Sequence, residues 1–252
     1  MNEKHRFQVA SDLHLEKLET DTPQVLDFIQ PAAPNIVLAG DIGSLYRINQ
    51  LRYFLQRLAS FFERVIYVPG NHEWYKLANF QSVPLNVLNA RLLSLEDEID
   101  NLYVLNQTSI IVDDICITGT TLWSRATCHI PHFIVKTPGI RYAYNKIHEN
   151  NLRYICRMIS YCAKVGLRLM VVTHHVPTYK LVTDKMKNAY VSLYASHLDS
   201  LLSSKYVHTW ICGHIHKNFD FITEGGTRLV GNQKGKPTDD VVGYDKRKVV
   251  SL

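Results

Sequence analysis

The chain has 252 residues, 46% hydrophobic and 20% charged, which suits a soluble globular fold with a sizeable core rather than a disordered or fibrous chain. Its formal net charge of +5 suits an anionic substrate, and because lysines and arginines are interleaved with acids a dedicated nucleic-acid track is not favoured. Five scattered cysteines without a Cys-x-x-Cys pair, no signal-like start and no run near the roughly 18 apolar residues of a membrane span lead to the expectation of a cytoplasmic protein with reduced thiols.

Short apolar runs alternate with helix-period segments. "RFQVA" (6–10) and "NIVLAG" (35–40) read as strands. Ile48, Leu51, Leu55, Leu58 and Phe62 recur at spacings of three and four, one face of a helix. "RVIYV" (64–68) is a third strand, and 84–99 a helix with Pro84 near its start. Residues 109–123 predict two strands around an Asp-Asp turn. The segment 141–165 predicts a long helix with a break near Asn150 and Asn151. "LRLMVVT" (167–173) is a buried strand, and 192–204 predicts a helix. Strands are expected at 208–212, 218–223 and 227–232, with a last one in the C-terminal "DKRKVV". No repeat, low-complexity tract or linker interrupts the chain, so 1–252 is expected to be one layered α/β domain with a mixed sheet. Residues 124–150 read as an irregular stretch that covers a site or forms a surface excursion.

The polar clusters fall just after strands. Asp12 and His14 follow the first, Asp41 the second, Asn71, His72 and Glu73 the third. His174 and His175 follow "LRLMVV", and His214 and His216 follow "HTWIC". Ligands of α/β sheets bind at the carboxyl ends of strands, so five such clusters can converge. An extended backbone would put Asp12 and His14 on one side, and likewise His214 and His216. Glycines 40, 70 and 213 would let the chain turn tightly beside them. Carboxylate, imidazole and amide donors without cysteine suit Mn, Fe, Zn, Ni or Co, with Mn favoured. Singly, each residue has an ordinary reading: Asp12 a turn residue, Asp41 a helix cap, His14 a surface histidine. No packing rule orders the whole set in this way.

Asp12-x-His14, Gly40-Asp41, Gly70-Asn71-His72-Glu73, His174 and Gly213-His214-x-His216 resemble, in order along nearly the whole chain, the motif set of the calcineurin-like metallophosphoesterases. "TTLWS" (120–124), "THHVPT" (173–178) and "GGTRLVGNQKG" (225–235) resemble one prokaryote-type branch of that family. The resemblance implies a four-layer αββα sandwich of two mixed β-sheets flanked by helices, with two divalent transition-metal ions. Asp12, His14 and His216 would hold one ion, and Asn71, His174 and His214 the other. Asp41 would bridge them with two oxygens. The implied activity is hydrolysis of a phosphate ester, with a phosphodiester or nucleotide-type substrate favoured, by a hydroxide between the ions. Asp41 and His72 would be the catalytic residues, His72 contacting the phosphate or protonating the leaving group. Asn71 would also touch substrate, and Glu73 would hold the loop.

His175 either faces substrate or packs. Trp74, Tyr75 and Trp123 are expected to pack, with stacking on a base as the alternative. Lys180, Lys185 and Lys187 either meet further phosphates or form a solvated face. Three other functions stay open: a scaffold on the same fold, a structural single-metal site, and a phosphomonoesterase or nuclease. A complete set of ligand types argues against the scaffold, and more than four candidates exceed what a structural site needs.

Overall fold

Eleven strands form two sheets in the computed structural model, which describes residues 5–252 without the side chains of Pro138 and Lys185. The first sheet has the order β11 (Val249–Ser251), β1 (Arg6–Ala10), β2 (Asn35–Ala39), β3 (Arg64–Val68), β4 (Leu102–Val104). Its strands run parallel except β11, antiparallel to β1. The second sheet has the order β5 (Thr108–Val112), β6 (Ile115–Thr120), β7 (Arg168–Thr173), β8 (Thr209–Ile211), β10 (Arg228–Gly231), β9 (Phe219–Ile222). Strands β6, β7, β8 and β10 run parallel, with antiparallel strands at both edges.

Side-chain alternation explains why there are four layers. Val37, Ala39, Ile66 and Val68 point one way from the first sheet and meet Ile115, Ile117, Met170, Val172 and Ile211 of the second. Their neighbours Ile36, Leu38, Val65 and Tyr67 point outward. There they meet helices α1 (Ile48–Ala59) and α2 (Leu85–Glu98), which bury Leu51, Leu55, Leu58, Leu88, Leu92 and Leu95 against them. On the far side Cys116, Leu169, Val171 and Trp210 meet Ile155, Ile159 and Cys162 of helix α3 (Pro138–Val165). Strands apolar on both faces are the pattern of parallel sheets covered on both sides.

Two expected elements differ. Helix α3 is unbroken through Asn150 and Asn151. Its first turns pack Ile140 and Tyr144 into one core and its last turns pack Ile155 and Cys162 into another. Asn151 is buried where the two cores meet, so packing outweighs a weak local propensity. The helix stops at Gly166, left-handed at φ 76. Residues 192–204 are not helical, apart from single 3₁₀ turns at Val191–Leu193 and Asp199–Leu201. The Ser196 and Leu198 amides donate instead to the carbonyls of Val176 and Pro177, at 3.1 and 2.9 Å. An amide used in that way is lost to a helix ladder. Of the segment 124–150, residues from 138 on belong to α3, and only 124–137 is irregular.

Beyond Ala10 the chain bridges the sheets. Ser11 donates to Asn232 at 2.9 Å and accepts from Lys234 at 3.1 Å. The carboxyl ends of β1, β2, β3, β7 and β8 thus open onto one place.

Candidate metal centre

The loops at these strand ends are tied to one another by their backbones. The Asp12 amide donates to Gly40 O at 2.9 Å, His14 to Asp41 O at 3.0 Å, and Gly213 to His174 O at 2.9 Å. The His72 amide donates to Asp41 Oδ1 at 2.7 Å, and the His214 amide to Asp12 Oδ1 at 3.1 Å. Asp12, His14, Asp41, His214 and His216 all lie in the left-handed region, at φ 55, 50, 54, 74 and 48. The extended alternation expected for Asp12 with His14 and for His214 with His216 is therefore not what pairs them; left-handed turns do. Non-glycine residues rarely adopt this conformation, which costs about 1–2 kcal/mol per residue. Of the three expected tight-turn glycines, only Gly40 has a positive φ, at 85. Gly70 and Gly213 are needed for space, since a Cβ there would lie 2.2 Å from Asp41 Oδ1 and 2.6 Å from Asp12 Oδ2.

Asp12, His14 and His216 form one group of converging donor atoms, all within 4.8 Å of one another. His216 Nε2 lies 3.2 Å from Asp12 Oδ1, and His14 Nε2 lies 3.0 Å from His216 Nε2. The other nitrogen of each ring faces a carboxylate: His14 Nδ1 meets Glu16 Oε1 at 3.1 Å, and His216 Nδ1 meets Asp239 Oδ2. If each Nδ1 donates to its carboxylate, both Nε2 atoms carry lone pairs that point into the same space, and a cation between them resolves the clash.

Asp41, His174 and His214 form a second such group. His174 Nδ1 donates to Ala39 O at 2.8 Å, which leaves its buried Nε2 without a hydrogen bond, 3.3 Å from Asp41 Oδ2. His214 Nε2 donates to Leu193 O at 3.2 Å and so frees Nδ1. Asn71 lines the same pocket as Asp41 and His214; its amide bonds the Tyr75 hydroxyl, and its buried Oδ1 has no partner. Asp41 Oδ2 lies between the groups, 3.8 Å from His14 Nε2. One oxygen faces both groups while Oδ1 takes the His72 amide, rather than two oxygens as expected. Orphaned buried acceptors and convergent nitrogens fit divalent transition-metal ions.

The electrostatics follow from burial and pairing. Burial raises the Asp12 and Asp41 carboxyls, but the surrounding imidazoles outweigh it and hold both below the usual range, Asp41 far below. Glu16 is likewise buried, yet bonds from His14 and His72 bring it down to about 2. Burial lowers His175 and His214 far below an ordinary imidazole and keeps them neutral. Burial also lowers His174, but Asp41 overrides it and lifts His174 to about 9.

His72 stands at the edge of the site with Nδ1 3.1 Å from Glu16 Oε1. Glu16 thus joins His14 to His72. It sits two residues beyond His14 in "DLHLE", a spacing that continues the Asp-x-His pattern, yet it was not among the expected site residues. Asp239, on a solvent-facing loop of ordinary composition, left no signal at all. Glu73 ties the second and third strand ends together. It accepts from the amides of Asp41, Ile42 and Gly70 and from the Tyr67 hydroxyl, at 3.1, 2.8, 2.8 and 2.7 Å. His175 both packs and faces the site: its ring stacks on His214 at 3.9 Å, and its buried Nδ1 has no partner. Trp74 and Trp123 are buried, and Trp123 lies 5.5 Å from the His175 ring. The two lysines whose side chains are described point elsewhere. Lys180 pairs with Glu224 at 3.1 Å and Lys187 with Asp184 at 2.8 Å, and the Lys185 side chain lies outside the described residues.

The sequence profile of the calcineurin-like phosphoesterases matches residues 5–218. The chain is 27% identical over 253 residues to an uncharacterized protein of Acanthamoeba polyphaga mimivirus, with 87% of each chain covered. Among solved structures it is similar to phosphopantetheinyl hydrolase from Mycobacterium tuberculosis, with a TM-score of 0.73 and 16% identity over 92% of this chain and 89% of that one. It is also similar to a dimetal phosphatase from Danio rerio, with a TM-score of 0.55 and 14% identity over 90% and 86%. At such identities the structural likeness speaks for the fold, two mixed sheets flanked by helices.

Proposed function

The chain belongs to the calcineurin-like phosphoesterase family, and from that premise we propose that it hydrolyses a phosphodiester or nucleotide-type ester with two divalent transition-metal ions. The observation that carries this reading is the pair of Nε2 atoms on His14 and His216, 3.0 Å apart, with both Nδ1 atoms facing carboxylates. Asp12, His14 and His216 would hold one ion, Asn71, His174 and His214 the other, with Asp41 Oδ2 shared. Oxygen and imidazole donors without thiolate suit Mn, Fe, Zn, Ni or Co, and Mn is the ion we favour for the test. Such ions supply Lewis acidity toward phosphoryl oxygens and a water that is nucleophilic at neutral pH.

The protein's own groups do the rest. His72, its Nδ1 held by Glu16, has Nε2 left to protonate the leaving oxygen. His175 offers its unpartnered Nδ1 to a substrate oxygen. Ile134 and Val135, from the irregular stretch 124–137, form part of the pocket wall at the candidate metal centre. The chain works as one unit because both sheets contribute donors. Five free cysteines suit a reducing cytoplasm, and no helix among the described residues is long and apolar enough to cross a membrane.

The test uses metal-stripped protein, bis-p-nitrophenyl phosphate, p-nitrophenyl phosphate and a Mn²⁺ titration. Metal-dependent turnover is expected, faster on the diester. His72→Ala is expected to keep its metal and lose about a hundredfold in rate. A metal-loaded wild type inert toward both esters would count against the hydrolase, and equal rates in wild type and His72→Ala against the role of His72.

A further inference from the structure

The pocket over the candidate metal centre measures about 400 Å³ and reaches from Asp41, Asn71 and His72 outward past Tyr190 and Lys236. Asp41, Asn71 and the histidines form its polar lining, and apart from Lys236 and Asp239 the rest of the described lining is apolar or aromatic. Ile134, Val135, Met186 and Ile215 line it together with Tyr190 and Tyr194. Among the described lining residues Lys236 is the one cation outside the histidines, and Asp239 stands beside it, accepting from the Lys236 amide at 2.9 Å. No arginine is among the described residues that line the pocket. Lys180 and Lys187, the described lysines that follow β7, are paired with acids and do not line it.

Resting on the hydrolase reading above, we infer that this pocket selects a phosphate ester whose outer group is uncharged and apolar or aromatic, and selects against substrates with further negative charge such as polyphosphates. Two ions and the histidines around them can match one phosphate. A second or third phosphate would extend along walls of isoleucine, valine, methionine and tyrosine. Among the described lining residues Lys236 offers the one charge and the tyrosine hydroxyls one neutral donor each, less than a further phosphate loses in water, and burying an under-paired anion is costly. An apolar ring in the same place removes its own surface and that of the walls from water. Tyrosines also take aromatic groups edge-on or offset, a gain beyond area.

The test is inhibition of bis-p-nitrophenyl phosphate hydrolysis by methyl phosphate, phenyl phosphate and 4-carboxyphenyl phosphate, with Mn²⁺-loaded full-length protein. Phenyl phosphate is expected to inhibit about tenfold more tightly than methyl phosphate, and the added carboxylate to cancel most of that gain. Tyr190→Ser should narrow the gap between phenyl and methyl. The wild-type series stands alone if that variant does not fold. Equal inhibition by phenyl and methyl phosphate, or tightest inhibition by the carboxylate, would overturn the inference while leaving a working hydrolase. No turnover at all would sink the hydrolase reading and this inference with it.

Discussion

Two clusters of charged side chains in this molecule make opposite use of their surroundings. At the outer edge of the second sheet, Asp220 of β9 takes two bonds from Arg228 of β10 at 2.9 Å each and one from Lys248 at 2.6 Å. That cluster closes on itself: a strand residue on each side, opposite charges and half-exposed positions. At the strand ends, Asp12, His14, Asp41 and His174 are buried, several on left-handed backbone, and His174 Nε2 and Asn71 Oδ1 have no partner. The edge cluster is complete as a protein structure. The strand-end cluster is not: Asn71 Oδ1 and His175 Nδ1 are buried without a partner, and the donor atoms of Asp12, His14 and His216 and of Asp41, His174 and His214 crowd into two groups. A fold that gathers buried titratable groups, left-handed backbone and orphaned polar atoms in one place marks that place for something it binds.

The largest expected effect separates the clusters outright. Asp41→Ala should reduce bound metal and cut turnover about a thousandfold or more, since its Oδ2 faces both donor groups. Asp220→Ala should leave both readouts at wild-type values. Metal loss in the Asp220 variant, or full activity in the Asp41 variant, would erase the contrast.

Glu16→Ala should cost about ten- to a hundredfold in metal affinity or rate, because Glu16 orients both His14 and His72. Glu16→Gln keeps an acceptor oxygen and should recover much of the loss. The deficit of Glu16→Ala should be larger for a phenyl leaving group than for p-nitrophenyl, as the poorer leaving group depends more on a positioned acid. A deficit independent of the leaving group would leave Glu16 a purely structural residue.

The smallest effect belongs to the edge. Hydrogen bonds from Arg228 lead the causes that hold Asp220 at about 2, against an ordinary value of 3.8. A depressed carboxyl adds stability above its unfolded value and loses it as pH falls toward 2. Asp220→Asn should therefore cost at most about 1 kcal/mol in urea unfolding at pH 7. The gap to wild type should narrow below pH 4, and a gap that grew on acidification would reverse the sign of the account.

Much of this architecture was legible because it is written in local periodicity. Ile48, Leu51, Leu55 and Leu58 announce α1, and "NIVLA" and "RVIYV" announce strands buried on both faces. The strand-end residues were legible as positions, since polar groups stand out after such runs. What local pattern could not supply was the use of backbone amides at a distance. Ser196 and Leu198 sit in a helix-like stretch, but their amides belong to Val176 and Pro177. The left-handed turns at Asp12 and His214 are likewise imposed by bonds to Gly40 and Asp12 from other strand ends. Asp239 reaches His216 from 23 residues away on an unremarkable loop. Whether Lys180 served substrate depended on Glu224, which only the fold brings near.

The most direct test of the central claim is metal stoichiometry. Stripped protein would be loaded with Mn²⁺, desalted and measured by atomic emission, with Asp41→Ala and Asp220→Ala alongside. The account predicts about two ions per chain in wild type and in Asp220→Ala, and fewer in Asp41→Ala. A wild type that retains none, or an Asp41→Ala variant that retains as many as wild type, would contradict it.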